Sequence, residues 1–198
     1  MSPRPKTVDD AAVAAAFARV IAKLGPSRLT LAAVGREAGL SPATLIQRFG
    51  SKRQMLIELS KGAGDAGPLV DQLRAEGRSP FTIVREMLLH YAVMAPTPEV
   101  MINSFGAYLE IDLADPTLRR YGVESTRRNL DLIGKLLREA AAAGTIACPD
   151  PVATARALLA TTTGSLLLWA TFRQGKAANW LARDLDAALA PMVRRKRP

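Results

Sequence analysis

Apolar residues recur every three to four positions along most of the chain, and no stretch keeps the two-residue alternation of a strand. Phe17, Val20, Ile21 and Leu24 share one helical face, so a first helix is expected over 8–24, ended by Gly25-Pro26. Thr7 and Asp10 have the spacing of a capping box at its start. Further starts are marked by a capping residue followed by proline: Ser41-Pro42, Ser79-Pro80, Thr97-Pro98, Asp115-Pro116 and Asp150-Pro151. There the side-chain oxygen takes a free amide, and the proline occupies a position whose amide would be unpaired anyway. These marks predict helices over 31–38, 42–49, 79–95, 98–111, 116–143, 151–172 and 177–189. A fourth helix, capped by Ser51 with Gln54 three residues on, is interrupted by Gly62, Gly64 and Gly67-Pro68 and resumes to about residue 75. The expected fold is all-α with about nine helices, an N-terminal three-helix head over 1–52 and a helical body over 53–198.

Charge divides the chain the same way. The net charge is +9. Residues 1–60 carry nine Lys or Arg against four acids, and 61–193 balance; Arg194, Arg195, Lys196 and Arg197 supply the rest. A positive field concentrated on one small segment suits a polyanionic partner. The C-terminal cluster reads as a solubilising tail.

Composition closes off other chemistry. Cys148 is the only cysteine and His90 the only histidine, so neither a disulfide framework nor a metal site is expected. There is no serine-histidine-aspartate arrangement, no phosphate-binding glycine loop, and Glu110 and Asp112 do not share a helical face. Catalysis and cofactors are therefore not expected. The longest uncharged run, 157–172, has 16 residues, short of the ~20 that span a membrane. With no apolar block after the basic start, a soluble cytoplasmic protein is expected.

The informative stretch lies between residues 28 and 56. Two short helices are separated only by Gly39, Leu40 and Ser41, a turn tight enough to need positive φ at its start. Gly35 supplies a small residue for close helix crossing, and Val34, Ala38, Leu40, Leu45 and Phe49 fill the space toward the first helix. This is the specification of a helix-turn-helix. The run Leu29-Thr30-Leu31-Ala32-Ala33-Val34-Gly35-Arg36-Glu37-Ala38-Gly39-Leu40-Ser41-Pro42-Ala43-Thr44-Leu45, continued by Ile46-Gln47-Arg48-Phe49-Gly50-Ser51-Lys52-Arg53-Gln54-Met55-Leu56, resembles the head of TetR-family regulators. The family usually has alanine where Gly35 stands and a backbone-contacting tyrosine where Ile46 stands.

The resemblance implies that the third helix enters the major groove of double-stranded DNA, exposing Ser41, Pro42, Ala43, Thr44, Gln47 and Arg48. Gln47 has the donor–acceptor pair for adenine; Arg48 suits either guanine or a phosphate. Thr44 and Lys52 are expected on phosphates, and Thr30 as a cap that also meets the backbone. Ile46 packs on a thymine methyl or a sugar, or faces the core. Arg4, Lys6, Arg28, Arg36 and Arg53 are weaker candidates.

One such unit binds weakly, so a homodimer on a palindromic operator is expected. Ala157, Ala160, Thr161, Gly164 and Leu168, with Leu181, Leu185, Leu189 and Trp180, form the expected seam. By the same resemblance the middle helices hold a small apolar or amphipathic effector that releases a repressor from DNA, with 62–68 as the hinge. Met87, His90, Tyr91, Met94, Phe105, Tyr108, Leu109, Trp169 and Phe172 are the candidate pocket walls. The alternative is an architectural DNA-binding protein without small-molecule control.

Overall fold

The computed structural model describes residues 8–61 and 64–193, without the side chain of Asp112. Ten α-helices follow in order: α1 (Asp10–Leu24), α2 (Leu31–Ala38), α3 (Pro42–Phe49), α4 (Lys52–Ser60), α5 (Gly67–Ala75), α6 (Pro80–Met94), α7 (Pro98–Ala107), α8 (Pro116–Ala142), α9 (Pro151–Phe172) and α10 (Ala177–Leu189). A π-helical turn, Tyr108–Asp112, follows α7. It replaces the last turn of the helix expected to continue to residue 111. Among the described residues the only β pairing is an isolated bridge between Ile146 and Val193.

The chain divides into two compact units, Met1–Ala63 with Ile102–Gly122, and Gly64–Met101 with Val123–Pro198. In the first, Val13, Val20, Ile21, Val34, Leu45 and Phe49 form one core with Met55, Leu56 and Ile57 of α4. Ala107 and Leu118 join it from the later segment. The packed head thus extends past residue 52. In the second unit α9 packs against α10, and α6 against α5, α9 and α10. Ile83, Leu88, Ile133, Leu136 and Leu137 are buried there.

All five helix starts marked by a cap and a proline are present. The side chains of Ser41, Ser79 and Asp150 accept amide hydrogen bonds from the first turns of α3, α6 and α9. The start of α1 differs from expectation. Its cap is Asp9, which accepts from the Ala12 amide at 2.8 Å, and the helix begins at Asp10. Thr7 lies outside the described residues, as do Arg4, Lys6, Gly62 and the Arg194–Arg197 cluster. At α4 the cap holds but the reciprocal half of the box does not. Ser51 accepts from the Gln54 amide, whereas the Gln54 side chain donates to Glu58.

Asn129, on α8, is buried. Its amide donates to the Gly64 carbonyl at 2.7 Å and its oxygen accepts from the Ala66 amide at 3.3 Å. A buried amide side chain must satisfy both ends, and here it does so on the backbone that leads into α5. Sequence reading missed this residue, because nothing in its spacing on α8 points to a chain segment more than sixty positions earlier.

Candidate nucleic-acid interface

The turn between α2 and α3 is built on two glycines with different duties. Gly39 ends α2 at φ 70° and leaves open space around its Cα, so its use is conformational. Gly35 is a matter of room. A Cβ there would lie 2.5 Å from the Leu40 carbonyl oxygen, while the Leu40 amide donates to the Gly35 carbonyl at 2.8 Å. The close approach is thus made by the turn backbone itself, and not by the crossing helix as the sequence suggested.

Thr30 caps α2 by accepting from the Ala33 amide at 3.1 Å. Ser41 caps α3, accepting from the Thr44 amide at 3.0 Å, and its hydroxyl lies 2.8 Å from that of Thr44. Leu45 and Phe49 anchor α3 in the core. This turns Pro42, Ala43, Thr44, Ile46, Gln47 and Arg48 outward together, all exposed. Ile46, left between DNA and core by the sequence, is 44% exposed on this outer face.

Most cations around α3 are already partnered. Arg48 donates to the Val8 carbonyl and pairs with Asp10. Lys52, at the first turn of α4, donates to the Leu29 carbonyl at 2.6 Å. An ammonium has three donors, so two remain for a phosphate beside the α4 N-terminus. Arg53 forms a bidentate pair with Asp115 at 2.7 and 3.1 Å and also donates to Thr117. That pair holds the Asp115 carboxyl below its ordinary range, aided by the Leu118 and Thr117 amides. Arg19 and Lys23 converge on Glu37, which they likewise lower. Arg28 donates to the Leu24 carbonyl. Arg36, exposed on α2, has no ion pair among the described residues.

Residues 13–59 match the family model described as bacterial regulatory proteins, tetR family. That segment, which holds α2, the turn and α3, is thus similar to the head of the TetR family. The whole-chain fold agrees with solved structures related at low identity. A TetR-family regulator from Rhodococcus, itself described as a putative regulator, shares 23% identity over 91% of this chain and 98% of its own, with a TM-score of 0.66. The Bacillus subtilis regulator FadR with stearoyl-CoA gives 16% identity, 92% and 99% coverage and a TM-score of 0.69. The SmeT–triclosan complex, SmeT being a repressor from Stenotrophomonas maltophilia, gives 20%, 94%, 92% and 0.70. None of the curated protein sequences compared matches the chain.

The body departs from two sequence expectations. Leu181, Leu185 and Leu189 are buried within this chain and so are not available as a partner-facing stripe. They close the core where α10 packs on α9 and α6. Ala157, Ala160 and Leu168 do lie on an exposed face of α9, with Thr161 and Gly164 half-buried beside them and Trp180 half-buried on α10. The nine pocket candidates fall in both units. Phe105, Tyr108 and Leu109 belong to the first, where Phe105 is half-buried and the other two exposed. In the second, Met87 and Trp169 are buried core residues, and the Trp169 indole donates to the Gly175 carbonyl. His90, Met94 and Phe172 are exposed, and Tyr91 is half-buried. Burial raises the Tyr91 hydroxyl against a hydrogen bond from Asn129. The groove of about 710 Å³ on the second unit is lined by α8 and α9 residues, among them Arg127, Gly134, Arg138, Val152, Arg156 and Ala160, and by none of the nine. Among the described residues no cluster of His, Cys, Asp and Glu could hold a metal, and no helix is long and apolar enough to cross a membrane.

Proposed function

We propose that this chain is a repressor that binds a near-palindromic DNA operator as a homodimer, with α3 in the major groove, and leaves it when a small molecule binds the body. The observation that carries the reading is the α2–turn–α3 unit. Gly35 and Gly39 make the turn, Leu45 and Phe49 fix the helix, and an unbroken outer face runs from Ser41 to Arg48. A helix so mounted fits the groove, and a protein of two-fold symmetry doubles its contacts. Support for the dimer comes from α9, whose exposed face carries Ala157, Ala160 and Leu168. Small residues there let a second copy approach closely.

The effector reading draws on relatives. FadR is found with stearoyl-CoA and SmeT with triclosan, both apolar or amphipathic molecules. A ligand of that class acts only if it binds the two states of the dimer unequally. Titration of operator-bound protein with long-chain acyl-CoA and with triclosan tests it, read by fluorescence anisotropy of labelled DNA. Release by either supports control by an amphipathic effector. Stable binding throughout, with no thermal shift across a wider ligand screen, favours the architectural alternative.

A further inference from the structure

Arg48 is the only cation in α3 and the seventh of its eight residues. Its Nη1 donates to the Val8 carbonyl and its Nη2 pairs with the Asp10 carboxylate, each at 2.5 Å. The guanidinium also covers the Phe49 ring, 5.5 Å from its centroid. Reading guanine needs two N–H groups aimed together at O6 and N7. In Arg48 both terminal nitrogens are already engaged at the start of α1.

The surface left to read bases carries no charge. Pro42, Ala43, Thr44, Ile46 and Gln47 are exposed, and the hydroxyls of Ser41 and Thr44 are paired with each other. Methyl and methylene groups complement the C5-methyl of thymine, and a carboxamide matches the N6 donor and N7 acceptor of adenine. No group here suits guanine as well as an arginine would.

We infer that the base pairs facing α3 are A·T pairs, with Gln47 on an adenine and Ala43, Thr44 and Ile46 on thymine methyls, while Arg48 clamps the end of α3 to the start of α1. The inference rests on the DNA-binding role proposed above. Arg48 is a positioning residue in this account, and base preference is the readout that separates positioning from reading.

The test is competition binding of the full chain against every single base-pair change in a selected half-site. Wild type is compared with Gln47→Ala, Arg48→Ala and Asp10→Ala, each first checked for an intact helical melting transition. Changing the A·T pair opposite Gln47 to G·C is expected to weaken wild type roughly tenfold, and Gln47→Ala to erase that difference. Arg48→Ala and Asp10→Ala are expected to weaken all sites alike and leave the ranking of bases unchanged. Asp10→Ala keeps the test open should Arg48→Ala fail to fold. A half-site with guanine facing α3, whose preference Arg48→Ala removes and Asp10→Ala strengthens, overturns this inference and leaves the DNA-binding role standing. Absence of any sequence-dependent binding overturns both.

Discussion

Gly35 has no room for an alanine. A methyl group there would press on the Leu40 carbonyl at 2.5 Å, and a backbone atom in a tight turn yields little. Gly35→Ala is expected to destabilise the head by about 1–3 kcal/mol, as overpacking does, despite the better helix propensity of alanine. A lower urea midpoint for the variant would show it; an unchanged or higher midpoint would mean the turn relaxes freely. We propose that Lys52 meets a phosphate with the two donors its bond to the Leu29 carbonyl leaves. Lys52→Ala is expected to weaken all DNA sequences alike and reduce the salt slope of binding by about one. An unchanged slope would leave Lys52 with only its bond to the Leu29 carbonyl. These residue roles differ in how far they could be read ahead. The caps at Thr30, Ser41 and Ser51 were legible, since a cap is a local pattern of one oxygen and one amide. The partners of Arg48, Lys52 and Arg53 were not, because Asp10, Leu29 and Asp115 are brought to them by folding.

At the scale of elements, the helix starts followed from sequence and the tethers between segments did not. Asp115 shows both. It accepts from the Thr117 and Leu118 amides to cap α8, a role its proline neighbour announced, and it also holds Arg53 of α4. The second role makes the α4 link pH-dependent. The folded pKa of Asp115 is lowered, so folding favours the ionised form. That contribution is present above the unfolded value of about 3.9 and is lost as pH falls through the lower folded value. Asp115→Asn keeps an oxygen for the cap and removes the charge. Its stability deficit against wild type is expected to be constant near neutrality and to shrink in acid below about pH 4. A deficit unaltered by acid would mean that the Asp115 charge adds nothing to stability. Asn129 ties α8 to the segment entering α5 by bonds no periodicity reveals. Asn129→Leu is expected to cost about 1–3 kcal/mol by stranding the Gly64 carbonyl and the Ala66 amide. Hydrogen exchange at the Ala66 amide checks this, and protection equal to wild type would show another partner.

For the molecule as a whole, an all-α chain with a basic head and a neutral body was readable because helical period, caps and charge all pointed one way. The function of the body was not, since core leucines and partner-facing leucines share the same spacing. Leu181, Leu185 and Leu189 turned inward, so the proposed seam rests on the exposed side of α9. Leu168 is 53% exposed there. Leu168→Glu places a charge on that face and is expected to halve the mass seen by light scattering without loss of helical signal. A dimer that persists would move the seam elsewhere. The account stands or falls on DNA recognition by paired heads. Selection of bound sites from random duplex DNA by the full chain tests it most directly. The account predicts an inverted repeat with half-site centres about 34–36 Å apart, or a multiple of that spacing. A pool with no enriched sequence, or one enriched in a single unrepeated site, would contradict it.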